Sequence, residues 1–231
     1  MSILQCVDVS KQFGKKQVLN SVNFTLESGK IVGLLGKNGT GKTTLIKLCN
    51  QLLTPTKGNI YINGKPVGQE TKKVVSYLPE RSYLDKTMTV EKAIAYFADF
   101  YEDFDVQKAT GLCKDFQLDL TQKIANMSKG MQEKLQLSLA ISRNALLYIF
   151  DEPLGGVDPA TREYILNTIL SNFNPQATLL ISTHLIGDIE GILDEVLFMD
   201  QGTILLHENA DQLRMKENAS VDQVFRRMFQ C

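Results

Sequence analysis

Apolar and polar residues alternate near the start of the chain, and this pattern predicts antiparallel strands. Val22, Phe24 and Leu26 are separated by polar residues, as in a strand with one buried face. An Asn-Gly dipeptide at positions 63–64, within residues 59–65, is typical of a tight hairpin turn. We therefore expect an antiparallel β subdomain in the N-terminal part of the fold.

Three longer apolar runs predict strands of another kind. Residues 31–35, 145–150 and 178–182 are mainly apolar, and helical periodicity follows each run. Strands that are apolar on both faces and alternate with helices are typical of a parallel sheet covered on both sides. The expected fold class is therefore α/β, with a mostly parallel central sheet.

Helical periodicity without a strand pattern extends over about residues 89–126, where apolar residues recur three and four positions apart. We expect an inserted α-helical subdomain at about residues 82–144 of one domain that spans residues 1–231. The segment is rich in aromatic residues: Tyr96, Phe97, Phe100, Tyr101 and Phe104. Aromatic residues at helical spacing usually fill a core, and only a surplus of them would indicate a docking surface.

The last residues of the chain predict a short amphipathic helix. Ser220 and Gln223 form a capping-box pattern ahead of apolar positions at 221, 224, 225, 228 and 229, while Arg226 and Arg227 lie off that apolar stripe. We expect this helix to pack on the domain; attachment to a membrane surface is the alternative.

Composition limits the classes of function. The chain is 43% hydrophobic with a net formal charge of −1 and no long block of one sign, so no general nucleic-acid surface is expected. No apolar run approaches the roughly 20 residues that span a bilayer, and the first six residues lack a secretory-signal pattern, so we expect a soluble, intracellular chain. Its widely spaced cysteines favour reduced thiols over a zinc site or a disulfide framework: Cys6, Cys49, Cys113 and Cys231.

Glycines surround a lysine directly after the first apolar run, and this passage predicts a phosphate-binding loop. The loop comprises Gly36, Lys37, Asn38, Gly39, Thr40, Gly41, Lys42, Thr43 and Thr44. Glycines let successive backbone N–H groups face phosphate oxygens, Lys42 adds a positive charge, and Thr43 offers a hydroxyl to Mg²⁺. A triphosphate nucleotide is the expected ligand; a tight turn with a surface lysine is the alternative.

The residues after this loop predict a helix that presents its positive N-terminal end to the phosphates. Its apolar face is expected to comprise Leu45, Leu48, Cys49, Leu52 and Leu53, and Thr54-Pro55 is expected to stop it.

Two adjacent carboxylates, Asp151 and Glu152, follow the second apolar run, at the carboxyl edge where open α/β sheets bind ligands. Asp151 is suited to hold Mg²⁺ directly or through water, and Glu152 to orient or deprotonate the water that attacks the γ-phosphate. His184 follows the third run and is expected at the same edge, near the γ-phosphate or that water. A solvated turn and a structural histidine are the alternatives, and no role is expected for His207.

Four further motifs occur in chain order: Lys-Gln-Phe-Gly at 11–14, Ser-Tyr-Leu-Pro-Glu at 76–80, Met-Ser-Lys-Gly-Met at 127–131 and Gly-Gly-Val-Asp at 155–158. With the motifs above, they make the chain resemble the ATP-binding subunits of ABC transporters over nearly its whole length. The resemblance implies a P-loop NTPase core that binds ATP and Mg²⁺. It also implies that Phe13 stacks on adenine and that His184 is the switch histidine.

The resemblance assigns the remaining site residues. Glu80 would contact Mg²⁺ together with Thr43 and Asp151, would belong to the loop that relays to the membrane partner, and would join Glu152 and His184 in catalysis. The family signature corresponds to Ser128, Lys129, Gly130 and Met131, and the dimer-contact loop ends at Asp158. Each ATP would then be held between the phosphate-binding loop of one subunit and the signature of the other, as a homodimer or a heterodimer.

Two motifs depart from the family pattern. Glu80 stands where glutamine is commoner, which replaces a neutral donor and acceptor by a carboxylate. Lys129 and Met131 replace the commoner glycine and glutamine of the signature, and Lys129 adds a cation near the expected phosphates. Such variants resemble bacterial export-type subunits that work with separate integral membrane permeases, which implies a cytoplasmic chain held peripherally on the inner face of the cell membrane.

Two other functions are alternatives to this transporter subunit. A soluble ABC-type regulator or clamp on nucleic acid or ribosomes would share the ATP-driven dimer, but the chain has no internal repeat, heptads or basic tract. A small-molecule kinase would need an acceptor site and a lid in place of residues 128–131.

Overall fold

The computed structural model of the protein describes residues 1–229, which form two β-sheets and a set of surrounding helices. The strands are β1 (Ser2–Phe13), β2 (Lys16–Glu27), β3 (Ile31–Leu35), β4 (Lys57–Ile62), β5 (Lys65–Pro66), β6 (Val75–Leu78), β7 (Leu147–Asp151), β8 (Thr178–Thr183), β9 (Glu195–Asp200) and β10 (Thr203–Asn209). The helices are α1 (Lys42–Cys49), α2 (Gln69–Lys72), α3 (Val90–Phe100), α4 (Val106–Asp115), α5 (Lys129–Ile141), α6 (Pro159–Asn172), α7 (Ile186–Ile189), α8 (Ala210–Glu217) and α9 (Val221–Phe229).

The smaller sheet is antiparallel, with strand order β2-β1-β4-β5. Asn63 and Gly64 form the turn between β4 and β5, both with positive φ, at 49° and 74°. These angles are those that a two-residue hairpin requires, and asparagine and glycine adopt them at low cost. The antiparallel N-terminal subdomain predicted from the sequence is confirmed.

The larger sheet has strand order β10-β9-β3-β8-β7-β6 and is parallel except for the β9–β10 pair. Side chains of β7 are buried on both faces: Tyr148 and Phe150 pack with the helices, whereas Leu147 and Ile149 pack toward the smaller sheet and α1. The mostly parallel, doubly covered sheet is therefore confirmed. Because β3, β7 and β8 run in one direction, their carboxyl ends meet at one edge.

Three helices, α3, α4 and α5, lie between β6 and β7 in the chain and share one apolar core. Phe97 is buried there, but Tyr96 and Phe100 are 47% and 65% exposed, with ring centroids 4.5 Å apart. The aromatic residues of α3 are thus divided between the core and the surface. Tyr96 and Phe100 are the exposed aromatic residues that could form a docking surface.

The helix after the phosphate-binding loop is shorter than the sequence indicated. Helix α1 ends at Cys49, so Leu52 and Leu53 are not part of its apolar face, and Leu52 is 55% exposed. Gln51 adopts a left-handed conformation (φ 54°), after which the backbone N–H of Leu52 donates to the carbonyl of Lys47. This closing turn usually uses glycine, so no residue type in the sequence signals it. The prediction that Thr54-Pro55 stops the helix is wrong.

Helix α9 begins with the predicted capping box: Ser220 N–H donates to the side chain of Gln223, whose own N–H donates to Ser220 Oγ. Arg226 and Arg227 are exposed, as expected for residues off the apolar stripe. Among the helices formed by residues 1–229, none has the length and apolar character needed to cross a bilayer. Cys6, Cys49 and Cys113 are buried free thiols, and Cys231 lies outside the described residues.

Candidate nucleotide-binding and hydrolysis site

The phosphate-binding loop connects β3 to α1 and passes close to neighbouring backbone. A Cβ on Gly36 would lie 2.5 Å from the carbonyl oxygen of Met199, and Gly41 has φ 114°. Neither position accepts a side chain without a shift of the backbone. Lys37, Asn38 and Gly39 are exposed, so their N–H groups are accessible to a ligand above the loop.

Lys42 is buried, and its ammonium lies at the centre of the loop. Its Nζ donates to the carbonyl oxygens of Gly36 and Lys37, at 2.7 and 3.2 Å, and lies 3.4 Å from Glu152 Oε1. Phosphate oxygens would compete with these oxygens for the same three N–H donors. The ammonium of Lys42 therefore lies where the sequence analysis expects it to meet the phosphates.

Asp151 lies at the end of β7 and is fully buried. Its Oδ1 accepts hydrogen bonds from Ser182 Oγ at 2.6 Å and Thr43 Oγ1 at 3.2 Å. Burial raises the pKa of Asp151; the hydrogen bonds from Ser182 and Thr43 lower it, and the charges of Glu152 and Glu80 raise it further. Oδ2 is buried and accepts no hydrogen bond from the described residues, which leaves one carboxylate oxygen free for a cation.

Glu152 follows in a left-handed backbone conformation, with φ 51°. Its N–H donates to the backbone carbonyl and the hydroxyl of Ser182, at 3.0 and 3.1 Å, and its Oε2 lies 2.9 Å from His184 Nδ1. A glutamate in this conformation is uncommon and is retained only where the surroundings hold it. The turn thus separates the two carboxylates: Asp151 faces Thr43 and Glu152 faces His184.

A cavity of about 540 Å³ opens beside these groups, and its wall includes Asn38, Glu80, Lys129, Glu152 and His184. It brings the phosphate-binding loop, both expected catalytic glutamates and the histidine to one space. Lys129 is the one signature residue on this wall among the described residues.

The other signature residues lie at the start of α5. Ser128 is exposed and caps the helix, because its Oγ accepts from the N–H of Met131 at 3.3 Å. Gly130 lies in the first turn, and a Cβ there would meet no atom within 4 Å. The helix end therefore presents a hydroxyl and free N–H groups outward, away from the crowded sheet edge.

Phe13 and Asp158 lie apart from this cluster. Phe13 ends β1 and is 46% exposed, with Lys11 Nζ 4.9 Å from the centre of its ring. Asp158 is exposed and caps α6, since its carboxylate accepts from the N–H and the hydroxyl of Thr161; these bonds hold the pKa of Asp158 below its usual value. Both remain accessible to a ligand or a partner.

Sequence reasoning missed Ser182, which contacts both carboxylate-bearing residues. It is paired with Asp151 across β7 and β8, and it is completely buried. The available signal was a hydroxyl at the end of an apolar strand that precedes His184, because a buried polar side chain needs a partner.

Comparison with known proteins agrees with this geometry. The family model for ABC transporters matches residues 19–155, which include the phosphate-binding loop and both carboxylates. The chain belongs to the ABC transporter family. The ABC-type transporter ATP-binding protein EcsA of Bacillus subtilis (strain 168) is 31% identical, covering 97% of this chain and 96% of EcsA. The Nod factor export ATP-binding protein I of Burkholderia lata is 30% identical over 84% of this chain and 67% of its own length.

Solved structures give the same result for the fold. An ATP-binding subunit of an ABC transporter superimposes with a TM-score of 0.89 at 29% identity, covering 98% of this chain and 99% of that one. The chain is an ABC transporter ATP-binding subunit, an enzyme of the family that hydrolyses ATP to power transport. A subunit of this kind implies a membrane permease partner.

Proposed function

We propose that the chain binds Mg-ATP, pairs with a second ATPase subunit around two nucleotides, and hydrolyses them to drive export through a separate permease. The observation that carries the proposal is the meeting of the phosphate-binding loop, Asp151, Glu152 and His184 at one sheet edge.

The magnesium part of the proposal is supported by the oxygens around Asp151. Asp151 Oδ2 is buried and accepts no hydrogen bond from residues 1–229, and Thr43 Oγ1 already contacts the same carboxylate. Within residues 1–229 no group of three or more His, Cys, Asp or Glu side chains could hold a metal alone, so these ligands would combine with oxygens of the nucleotide. Mg²⁺ bound there would neutralise phosphate charge, and Glu80, which also acts on the pKa of Asp151, would be a further ligand.

Glu152 and His184 would act on the attacking water. The carboxylate of Glu152 is held from one side by His184 Nδ1, which orients it toward the cavity. Lys42 would transfer its donors from loop carbonyls and Glu152 to phosphate oxygens when ATP binds. Glu152 would then be free to accept a proton from water near the γ-phosphate.

The pairing of two subunits is supported by groups that this chain leaves exposed. Ser128 and the first turn of α5 present anion donors outward, as does the exposed part of the phosphate-binding loop at Asn38. Asp158 is exposed at the start of α6. These surfaces would meet those of a second copy or of a related subunit, with ATP between them.

Export is the proposed direction of transport. Relatives that align with most of this chain include the SkfA peptide export ATP-binding protein SkfE of Bacillus subtilis, 30% identical over 89% of this chain, and Nod factor export ATP-binding proteins. The subunit would then lie at the cytoplasmic face of the cell membrane, bound peripherally to its permease.

The proposal is tested by isolating a tagged chain from its native membranes in mild detergent. We expect an integral membrane protein to co-purify, and ATP hydrolysis by the complex to exceed that of a Lys42→Ala complex. Recovery of the tagged chain with ribosomes or nucleic acid, and with no membrane protein, would instead support the soluble regulator.

A further inference from the structure

A small cavity of about 30 Å³ lies between α5 and the segment that follows β7, and Gln136 and Glu152 both line it. The side chain of Gln136 is 2% exposed, and its Nε2 has no hydrogen-bond partner among the described residues. Oε1 of Glu152 is also buried and accepts no hydrogen bond within residues 1–229, and Lys42 Nζ lies 3.4 Å from it. Two residues that line one cavity therefore each carry a buried polar atom with no hydrogen bond from the described residues.

A buried amide donor without a partner is costly, and native proteins rarely retain one. A cavity that can hold one water needs a volume of about 10–15 Å³ and two or more polar partners. This cavity meets both conditions. We propose that it binds one water molecule, which accepts a hydrogen bond from Gln136 Nε2 and donates one to Glu152 Oε1.

The consequence is that Gln136 is a positioning residue for the catalytic glutamate. Oε2 of Glu152 is held by His184, but the contact of Oε1 with Lys42 is the one that phosphate oxygens would take away. The bound water then holds Oε1 from the side of α5 after Lys42 has turned to the nucleotide. Since Ser128 caps the same helix, the bridge also links the outward signature end of α5 to the hydrolytic carboxylate. This inference rests on the proposed role of Glu152.

Kinetics of the full chain test the positioning role. Gln136→Met keeps the size of the side chain and removes the donor, and Gln136→Glu replaces the amide by a carboxylate that cannot donate when ionised. We expect both variants to lower kcat by about tenfold or more, because small displacements of reacting groups are costly. The KM for ATP should stay within about threefold, because Gln136 is buried and the cavity that it lines is not bordered by the phosphate-binding loop.

Ser142→Ala is the matched control. The Ser142 hydroxyl lies at the end of the same helix and is also buried with no hydrogen-bond partner in the described part of the chain, but Ser142 does not line the cavity. Its removal should leave kcat unchanged. Thermal unfolding of each variant verifies that it is folded. If Gln136→Met does not fold, Gln136→Glu alone tests the positioning role.

A high-resolution crystal structure of the wild-type chain tests the water directly. We expect a water within hydrogen-bond distance of Gln136 Nε2 and Glu152 Oε1, absent in Gln136→Met. The inference would be overturned by a cavity without water in the wild type, or by wild-type kcat in both Gln136 variants while Glu152→Gln is inactive. Either result would leave the proposed role of Glu152 intact. Wild-type hydrolysis by Glu152→Gln would instead show that the proposed role of Glu152 is wrong.

Discussion

Asp151 is a carboxyl whose burial makes the stability of the protein depend on pH. Its pKa is raised above the ordinary value of about 3.9, chiefly by burial, so the folded chain holds this proton to higher pH than the unfolded chain does. Stability from this group is therefore complete below the unfolded pKa and is lost as pH rises through the folded pKa. A cation at Oδ2 would oppose this loss by favouring the charged form.

We expect Asp151→Asn to be more stable than the wild type at neutral pH, by about 1 kcal/mol or more, because no charge is then buried. The loss of stability as pH rises from about 4 should also become smaller. Urea unfolding at several pH values, without nucleotide or Mg²⁺, measures both effects. Asp99→Asn, at an exposed position of α3, is the control. An unchanged pH dependence in Asp151→Asn would assign the effect to another group.

Ser182 contacts both Asp151 and Glu152: its hydroxyl donates to the carboxylate of Asp151 and accepts from the backbone N–H of Glu152. Ser182→Ala should destabilise the chain by about 1–3 kcal/mol, since a buried acceptor and a buried donor each lose a partner. Hydrolysis should fall more than ATP affinity, because the backbone of Glu152 loses support. Calorimetric ATP binding and phosphate release separate the two. Ser138→Ala removes a buried hydroxyl that donates to the carbonyl of Lys134 within α5 and also contacts the Cys113 thiol, and it should not affect hydrolysis. Equal effects in both variants would contradict the assignment.

At this scale the sequence identified residues whose chemistry is tied to a motif, such as Lys42 and Asp151. It could not identify Ser182 or Gln136, because their importance comes from the neighbours that the sheet and α5 bring to them. It also gave no signal for the left-handed backbone of Glu152, since glutamate has no preference for that conformation.

At the scale of elements, the end of α5 is attached to the core and to the inserted helices by one buried arginine. Arg143 Nε lies 2.6 Å from Asp103 Oδ1, and the guanidinium carbon is 3.7 Å from the ring centre of Tyr101. The guanidinium also donates to the carbonyl oxygens of Val75 and Lys73, which flank the start of β6. It therefore fixes the inserted helices relative to the larger sheet.

Arg143→Met should destabilise the chain by about 3–5 kcal/mol, because Asp103 and two carbonyl groups lose a buried donor. Arg143→Lys should recover little of this, since an ammonium cannot reproduce the planar set of donors. Denaturant unfolding measures both. Arg226→Met serves as the control, because the Arg226 side chain that pairs with Asp222 within α9 is exposed and should contribute little. Comparable losses at 143 and 226 would contradict the role given to Arg143.

Element type was predictable wherever hydrophobic periodicity was strong. The apolar runs at β3, β7 and β8 became buried parallel strands, and the spacing at 90, 93, 94 and 97 became α3. The end of α1 was not predictable, since Gln51 takes a conformation for which glycine is the usual signal. The exposure of Tyr96 and Phe100 was not predictable either, because helical spacing does not show which face meets a neighbour.

At the scale of the whole molecule, the residues of the proposed ATP site lie on two separate exposed surfaces of one chain. The phosphate-binding loop, Glu152 and His184 border one cavity, whereas Ser128 lies at an exposed helix end and is not among the residues that line it. An anion held by the loop would still be accessible to donors from another subunit. The proposed function therefore requires two chains for each complete site.

The most direct test is the mass of Glu152→Gln in solution with Mg-ATP, measured by size-exclusion chromatography with light scattering. This variant should bind ATP and hydrolyse it at least about 100-fold more slowly, so the paired state accumulates. We expect a particle of two chains and two nucleotides with ATP, single chains without it, and single chains for Lys42→Ala under both conditions. A Glu152→Gln protein that binds ATP yet remains a single chain at every concentration would contradict the account.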